Sequence, residues 1–203
     1  MVANHRVPEG EPGVTFLIRP QPSADAAAVR AVTNRAFGPR EGVDDLVDAL
    51  AAGPARLSLV AQNDSGDIVG HVMLSRGWVD AERELVEVLV LSPLSVGPDF
   101  QRRGIGGRLV RAALAGAESR GAPAVFLEGW WPYYSRFGFE PGEKYGFTAP
   151  SHRVPAPAFQ VVLLAPWQEW MTGQLVYPDA FWAHDAVGLR GERLRNALAQ
   201  VGD

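Results

Sequence analysis

Residues 14–18 form a run of β-formers that stops at Pro20, which predicts a strand. Ser23 can cap a helix. After it Ala26, Val29, Ala31, Val32 and Phe37 recur at helical spacing up to Gly38 and Pro39. Residues 42–52, with Val43, Leu46, Val47 and Leu50 apolar, predict a second short helix stopped by Gly53-Pro54. Residues 57–61 return to strand, and the turn-forming cluster at 63–67 joins them to a hairpin partner over 68–74. The same cluster holds Asn63-Asp64-Ser65, a glycosylation sequon that is more simply a turn. A long apolar stretch at 85–96 predicts another strand. Pro93 within it lacks a backbone donor and so marks a bulge or a splayed edge. Residues 108–120 predict an amphipathic helix, with Leu109, Val110, Ala113, Leu114 and Ala117 on one side and Gly121 as its stop. Strands over 124–128 and 159–165, a short helix over 132–137 and a terminal helix over 189–201 complete the pattern.

This order mixes an antiparallel meander with one β-α-β crossover, so it predicts an α+β, or mixed α/β, domain. Residues 1–13 are polar and rich in Gly and Pro, and are expected to be a flexible leader. The domain is expected over 14–182, and a helical C-terminal extension over 183–203. Of the 203 residues 47% are hydrophobic and 21% charged, which suits one ordinary globular domain. No apolar run approaches the roughly 20 residues of a membrane helix, and the first residues lack the apolar core of a signal peptide. The cytoplasm is the expected compartment, and no membrane partner is expected. With no cysteine there are no disulfides or thiolate metal sites. His5, His71, His152 and His184 are scattered without paired metal spacing, so no metal is expected. Ser92, Ser95 and Ser135 lack the Gly-x-Ser-x-Gly elbow of a serine hydrolase. The net charge is −4 and the basic residues are dispersed, except for Arg102, Arg103 and Arg108. That distribution argues for a local anion site and against a nucleic-acid track.

The anion site has a clear candidate. A strand leads through Gly97-Pro98-Asp99-Phe100 into Gln101-Arg102-Arg103-Gly104-Ile105-Gly106-Gly107, and an amphipathic helix follows. A helix N-terminus presents free N–H groups and a dipole that favour an anion. Gly104 and Gly106 let a phosphate approach the backbone, and Arg102 and Arg103 add charge at the rim. A P-loop would need Gly-Lys-Ser/Thr, which is absent. A dinucleotide fingerprint would need glycine where Leu109 stands, and an N-terminal rather than mid-chain position. What remains is Gln/Arg-x-x-Gly-x-Gly/Ala, which Gln101-x-x-Gly104-x-Gly106 fits.

That pattern resembles the acetyl-CoA motif of the GNAT N-acetyltransferase superfamily. Leu94-Ser95-Val96 stands before the loop where the family carries a short apolar strand, and Tyr134-x-x-x-Gly138-Phe139 follows as the family's Tyr-x-x-x-Gly-Phe. The segment Pro132-Tyr133-Tyr134-x-Arg136-Phe137-Gly138-Phe139 is similar to the YhbS-like branch. The resemblance covers residues 85–141 on these motifs and extends over 14–182 on element order. It implies a GNAT-like fold: a central, mostly antiparallel sheet with a splayed parallel strand pair, flanked by helices. It further implies acetyl-CoA as co-substrate, lying in the gap between those strands. Leu94, Ser95 and Val96 would pair with its pantetheine arm, and a free N–H near Ser95 or Val96 would polarise the thioester carbonyl. Gln101, Arg102, Arg103, Gly104, Ile105, Gly106 and Gly107 would hold its pyrophosphate.

By the same resemblance Tyr134 is the proton donor to the departing thiolate, whereas as a plain aromatic it would only pack against Phe137 and Phe139. The general base is open. Some family members carry a carboxylate where this chain has Val90. Glu87 and Glu128 are alternatives on predicted strands, although solvated edge carboxylates are the simpler reading, and a water relay could serve instead. The acceptor implied is a small-molecule or peptide amine. Trp130, Trp131, Tyr133 and Tyr134 form an aromatic cluster that is either core packing or a wall of the acceptor pocket. Trp167, Trp170 and Trp182 could cap that pocket or meet a second subunit in a homodimer. Two other functions stay open: a CoA-binding sensor or interaction module without catalysis, and a site for another pyrophosphate nucleotide.

Overall fold

The computed structural model describes residues 15–38 and 42–199, so the leader expected over 1–13 lies outside the described residues, as do the last four residues of the C-terminal extension. The strands are β1 (Phe16–Pro20), β2 (Ala55–Asn63), β3 (Ile68–Ala81), β4 (Leu85–Val96), β5 (Ala124–Glu128), β6 (Glu140–Pro141), β7 (Phe159–Leu163) and β8 (Gly173–Val176). The helices are α1 (Ala26–Phe37), α2 (Val43–Ala51), α3 (Ile105–Glu118), α4 (Trp131–Tyr134), α5 (Asp179–Ala183) and α6 (Gly191–Ala199). The strands form one sheet in the order β1-β2-β3-β4-β5-β7-β6, with β8 paired to the far end of β3. Every neighbouring pair is antiparallel except β4 and β5, which are parallel. The mixed α/β domain expected from the element order is observed, and so is the mostly antiparallel sheet with one parallel pair that the resemblance implied. None of the helices among the described residues is long and apolar enough to cross a membrane.

The period-2 alternation of the strands divides the core into two layers. On one face Val60, Met73, Val90, Phe126 and Phe159 pack with Val29 of α1 and Leu46 and Leu50 of α2. Phe181 and Val187, from the C-terminal fifth of the chain, join this layer and are buried in it. On the other face Leu59, Val72, Leu74, Leu91 and Val125 pack with Ile105, Leu109, Val110, Ala113 and Ala117 of α3. Gly70 sets how closely α3 approaches. A Cβ there would lie 3.1 Å from the Leu109 side chain and 3.2 Å from that of Ile105.

Several local expectations change. Ser23 opens a 3-10 turn, Ser23–Asp25, and caps nothing through its side chain. Asp25 takes the N-cap position of α1, but its carboxylate accepts from Arg19 at 2.6 Å instead of capping. α3 starts three residues earlier than the apolar periodicity suggested, because Gly106 and Gly107 are drawn into its first turn. β3 runs on to Ala81, past the hairpin partner expected over 68–74, since β4 offers it a partner down to Leu85. Pro93 does mark a bulge: the β3–β4 register shifts between the pairs Val72↔Leu94 and Leu74↔Leu91.

Candidate active site

The parallel pair at the centre of the sheet is short. β4 and β5 are in register only at Leu89↔Val125 and Val90↔Phe126. Beyond Val90 each strand keeps its outer neighbour. β4 stays with β3 through Gly70↔Val96, and β5 stays with β7 through Glu128↔Phe159. The two strands therefore diverge toward their C-terminal ends, and a gap opens between them. Such ends, at a switch in strand order, are where open α/β sheets receive ligands.

The inner edge of β4 carries unspent hydrogen-bonding groups. The Gly97 N–H donates to the Val69 carbonyl at 2.9 Å. N–H groups alternate between edges along a strand. The Ser95 N–H therefore also faces β3, and those of Leu94 and Val96 face the gap. Gln101 confirms the direction, since its Nε2 donates to the Val96 carbonyl at 3.1 Å from the gap side. The side chains alternate as well. Leu94 and Val96 pack with the α3 layer. Ser95 is buried on the α1 face, its Oγ 3.1 Å from Thr33 Oγ1.

The glycine loop closes the top of this gap. Arg102 holds φ 61° and Gly104 holds φ 80°. A left-handed arginine is uncommon, and such residues cluster where a backbone is held for a ligand. Left-handed positions in a loop turn successive N–H groups inward and form an anion-binding concavity. Gly104 is the N-cap of α3 with no side-chain cap bond, so the N–H groups at the start of the helix keep their capacity for a ligand. Ile105 contributes its backbone only, because its side chain is buried in the core. Gly106 faces the gap: a Cβ there would lie 2.5 Å from the Tyr133 hydroxyl and 3.6 Å from the Val96 side chain. Gly107 faces sideways onto the Phe137 ring. Arg103 lies over the Phe100 ring, and Arg108 over that of Phe16.

α4 follows β5 across Gly129 and brings two tyrosines to the gap. The Tyr134 ring folds back onto Gly129, where any Cβ would collide with it, and packs edge-on against Tyr133 and Phe139. Burial, and then the neighbouring Tyr133, push its hydroxyl pKa up. It therefore remains a proton-bearing donor throughout the neutral range. Tyr133 was expected only as part of an aromatic cluster, yet its hydroxyl lies directly against the first turn of α3. No spacing rule in the sequence could have set it apart from Tyr134. Trp130 and Trp131 are not core residues; they stand 72% and 46% exposed at the mouth of the gap.

The candidate bases separate clearly. Val90 is buried and paired to Phe126. Glu87 is a surface carboxylate bound to Arg56 at 3.1 Å, at the far end of β4. Glu128 is not the solvated edge carboxylate that its position suggested. Its Oε2 accepts the Gly188 N–H at 2.9 Å, and Oε1 is buried without a partner. Desolvation raises its pKa, opposed by the Gly188 N–H, the Tyr177 hydroxyl and the charge of Arg153. His71 lies beneath α1, opposite Ser95. It is fully buried, shares a 2.8 Å hydrogen bond with Ser58, and is lowered by burial to a pKa of about 4. Trp170 stacks with Arg83 in the β3–β4 turn, roughly 35 Å of strand away from Val96, and Trp167 contacts Tyr145. Trp170 therefore does not cap the gap.

A diverging parallel pair closed by a glycine-rich helix start is the architecture to which known proteins can be compared. The acetyltransferase (GNAT) family model matches residues 27–139. The chain is 39% identical over 132 residues to the uncharacterized N-acetyltransferase YjhQ of Escherichia coli, covering 63% of this chain and 71% of that one. It is 32% identical over 125 residues to the uncharacterized N-acetyltransferase YhbS of the same species, covering 62% and 74%. The solved structure of E. coli YhbS in complex with CoA matches with a TM-score of 0.75 at 30% identity, over 85% of this chain and 95% of that one. A GNAT family acetyltransferase from Brucella melitensis in complex with acetyl-CoA matches with a TM-score of 0.67 at 34% identity, over 82% and 98%. This chain belongs to the GNAT family of N-acetyltransferases and has its fold.

Proposed function

We propose that the protein moves an acetyl group from acetyl-CoA to the primary amine of an acceptor by direct attack. One observation carries the proposal: two unspent backbone N–H groups, at Leu94 and Val96, face a gap whose top is a bare helix N-terminus. This fits the two polar parts of acetyl-CoA. The pantetheine amides and thioester carbonyl need donors along a strand edge. The pyrophosphate needs N–H groups without side chains in the way, which Gly104 and Gly106 supply beside Arg102 and Arg103. The two relatives described above were solved in complex with CoA and with acetyl-CoA, which supports acetyl-CoA as the ligand.

In this scheme the Val96 N–H stabilises the oxyanion that forms when the amine lone pair adds to the thioester carbon, an effect worth a few kcal/mol in acyl transfer. Ser95 is the poorer donor of the two first considered, because its N–H faces β3. Collapse of the intermediate breaks the C–S bond. Tyr134 gives its proton to the departing thiolate and recovers one from the new amide nitrogen through water. An alkyl amine with a pKa near 10.4 is free base in roughly one molecule in two thousand at pH 7, so a proton acceptor beside the attacking nitrogen speeds the reaction. Glu87 is too far to serve. Water entering between Trp130 and Trp131 is the simplest acceptor.

The absence of a carboxylate at Val90 favours a second reading, in which the chain binds CoA without catalysis. Titration calorimetry with acetyl-CoA, followed by a thiol-release assay over a panel of amines, decides between them. Binding with release supports the transferase, and binding without release from any amine supports the sensor. No heat at millimolar acetyl-CoA removes both.

A further inference from the structure

Six arginines of this protein lie in ion pairs, while Arg76, Arg83, Arg103 and Arg108 each cover an aromatic ring of their own. Arg19, Arg30, Arg35, Arg56, Arg153 and Arg190 each lie against an aspartate or glutamate. Arg111 and Arg136 have no such partner among the described residues. They converge on a single aromatic ring instead: the guanidinium of Arg111 is 5.1 Å, and that of Arg136 5.2 Å, from the centre of Phe137. Arg136 also covers the Tyr133 ring at 4.2 Å, and its Nε donates to the Tyr133 carbonyl at 3.0 Å. Arg111 reaches back along α3, so that its Nη1 would lie 3.5 Å from a Cβ at Gly107. Two cations gathered on one ring, fixed in place and without a counter-charge, repel each other until an anion joins them.

Their position says which anion. Gly106 looks into the gap and Gly107 looks out of it, toward Phe137. A CoA molecule whose pantetheine enters past Gly106, with its pyrophosphate on the start of α3, must carry its adenosine end away from the gap. Given the acetyl-CoA reading above, on which this depends, we infer that Arg111 and Arg136, seated on Phe137, hold the 3′-phosphate of CoA's adenosine. A planar guanidinium pair suits a terminal phosphate, which offers three acceptor oxygens. The protein then distinguishes CoA from otherwise identical molecules that lack this phosphate.

The test compares CoA with 3′-dephospho-CoA by titration calorimetry on the full chain. The wild type should bind CoA about tenfold or more tightly than 3′-dephospho-CoA, as expected for charge-assisted bonds to one phosphate. The double variant Arg111→Gln/Arg136→Gln should bind both ligands equally, with the affinity the wild type shows for 3′-dephospho-CoA. A double Arg→Lys variant should keep part of the preference, which separates lost charge from lost folding. Equal binding of the two ligands by the wild type overturns the inference while leaving the CoA site intact. So does a double variant that weakens both ligands by the same factor, because the arginines would then serve the pyrophosphate. If neither ligand binds the wild type, the CoA reading itself fails, and this inference with it.

Discussion

β4 borders two strands in two different ways. Against β3 it is paired from Leu85 to Val96, with only the bulge at Pro93 interrupting the ladder. Against β5 it is paired at Leu89 and Val90 and then parts. Both seams contain the same kinds of residue, so composition does not separate them. What separates them is where each strand is anchored. β5 is drawn toward β7 by an antiparallel ladder that reaches Glu128, and Glu128 is itself bonded by Gly188. β4 is held to β3 on its other side. A functional gap in a sheet is thus produced by competition between neighbours, with strong pairing outside leaving weak pairing inside.

The largest effect should come from the anchor of β5. Glu128→Ala removes the acceptor for the Gly188 N–H and leaves a void where the buried side chain stood. The unpaired donor and the cavity together should cost about 4 kcal/mol of unfolding free energy in urea titration. A loss below about 1 kcal/mol would mean that β5 is held by β7 alone.

The paired seam has its own signature in pH. His71, on β3 opposite Ser95, has a folded pKa of about 4 against an ordinary 6.5. Between those values the unfolded chain binds the extra proton. Stability is therefore complete above pH 6.5 and falls as the pH drops toward 4, by about 3 kcal/mol in all. His71→Leu should flatten that slope in urea midpoints measured between pH 7 and pH 4.5. An unchanged slope would assign it to other groups.

Smaller effects probe the open seam. Tyr134→Phe should lower kcat about tenfold or more while leaving the KM for acetyl-CoA unchanged, as expected for a lost proton donor. An equal loss in both parameters would make Tyr134 a packing residue. Gly104→Ala meets no atom within 4 Å, but forces a side chain into a left-handed φ. It should cost about 1 kcal/mol in thermal unfolding, and a neutral result would argue that the loop relaxes readily.

Much of this was legible beforehand, and the remainder has identifiable causes. The helical spacing of α1, α2 and α3 reflects one burying face each, and the continuous apolar runs of β2 and β4 reflect strands buried on both faces, so the pattern reveals them. The helix start at Ile105 was obscured because glycine weakens helix propensity. A Cβ at Gly106 would meet the Tyr133 hydroxyl, so the packing of this first turn requires the glycine despite its low propensity. β6 is two residues long, β8 four and α5 five, too short to show a period. The glycine loop, Leu94 to Val96 and Tyr134 were found by motif. The burial of Glu128 was not, since the groups that cover it are Tyr177 and Gly188, far along the chain. Arg111 and Arg136 stand apart in sequence and meet only because α3 and the segment after α4 pack on the same ring.

Amide hydrogen exchange resolved to single residues, with and without saturating CoA, addresses the gap most directly. In the free protein the amides of Leu94 and Val96 should exchange quickly and that of Ser95 slowly, because only Ser95 donates to β3. Saturating CoA should slow Leu94 and Val96, together with the amides at the start of α3, and leave Ser95 unchanged. If Leu94 and Val96 stay fast when CoA is bound, the parted edge of β4 is not where the ligand lies.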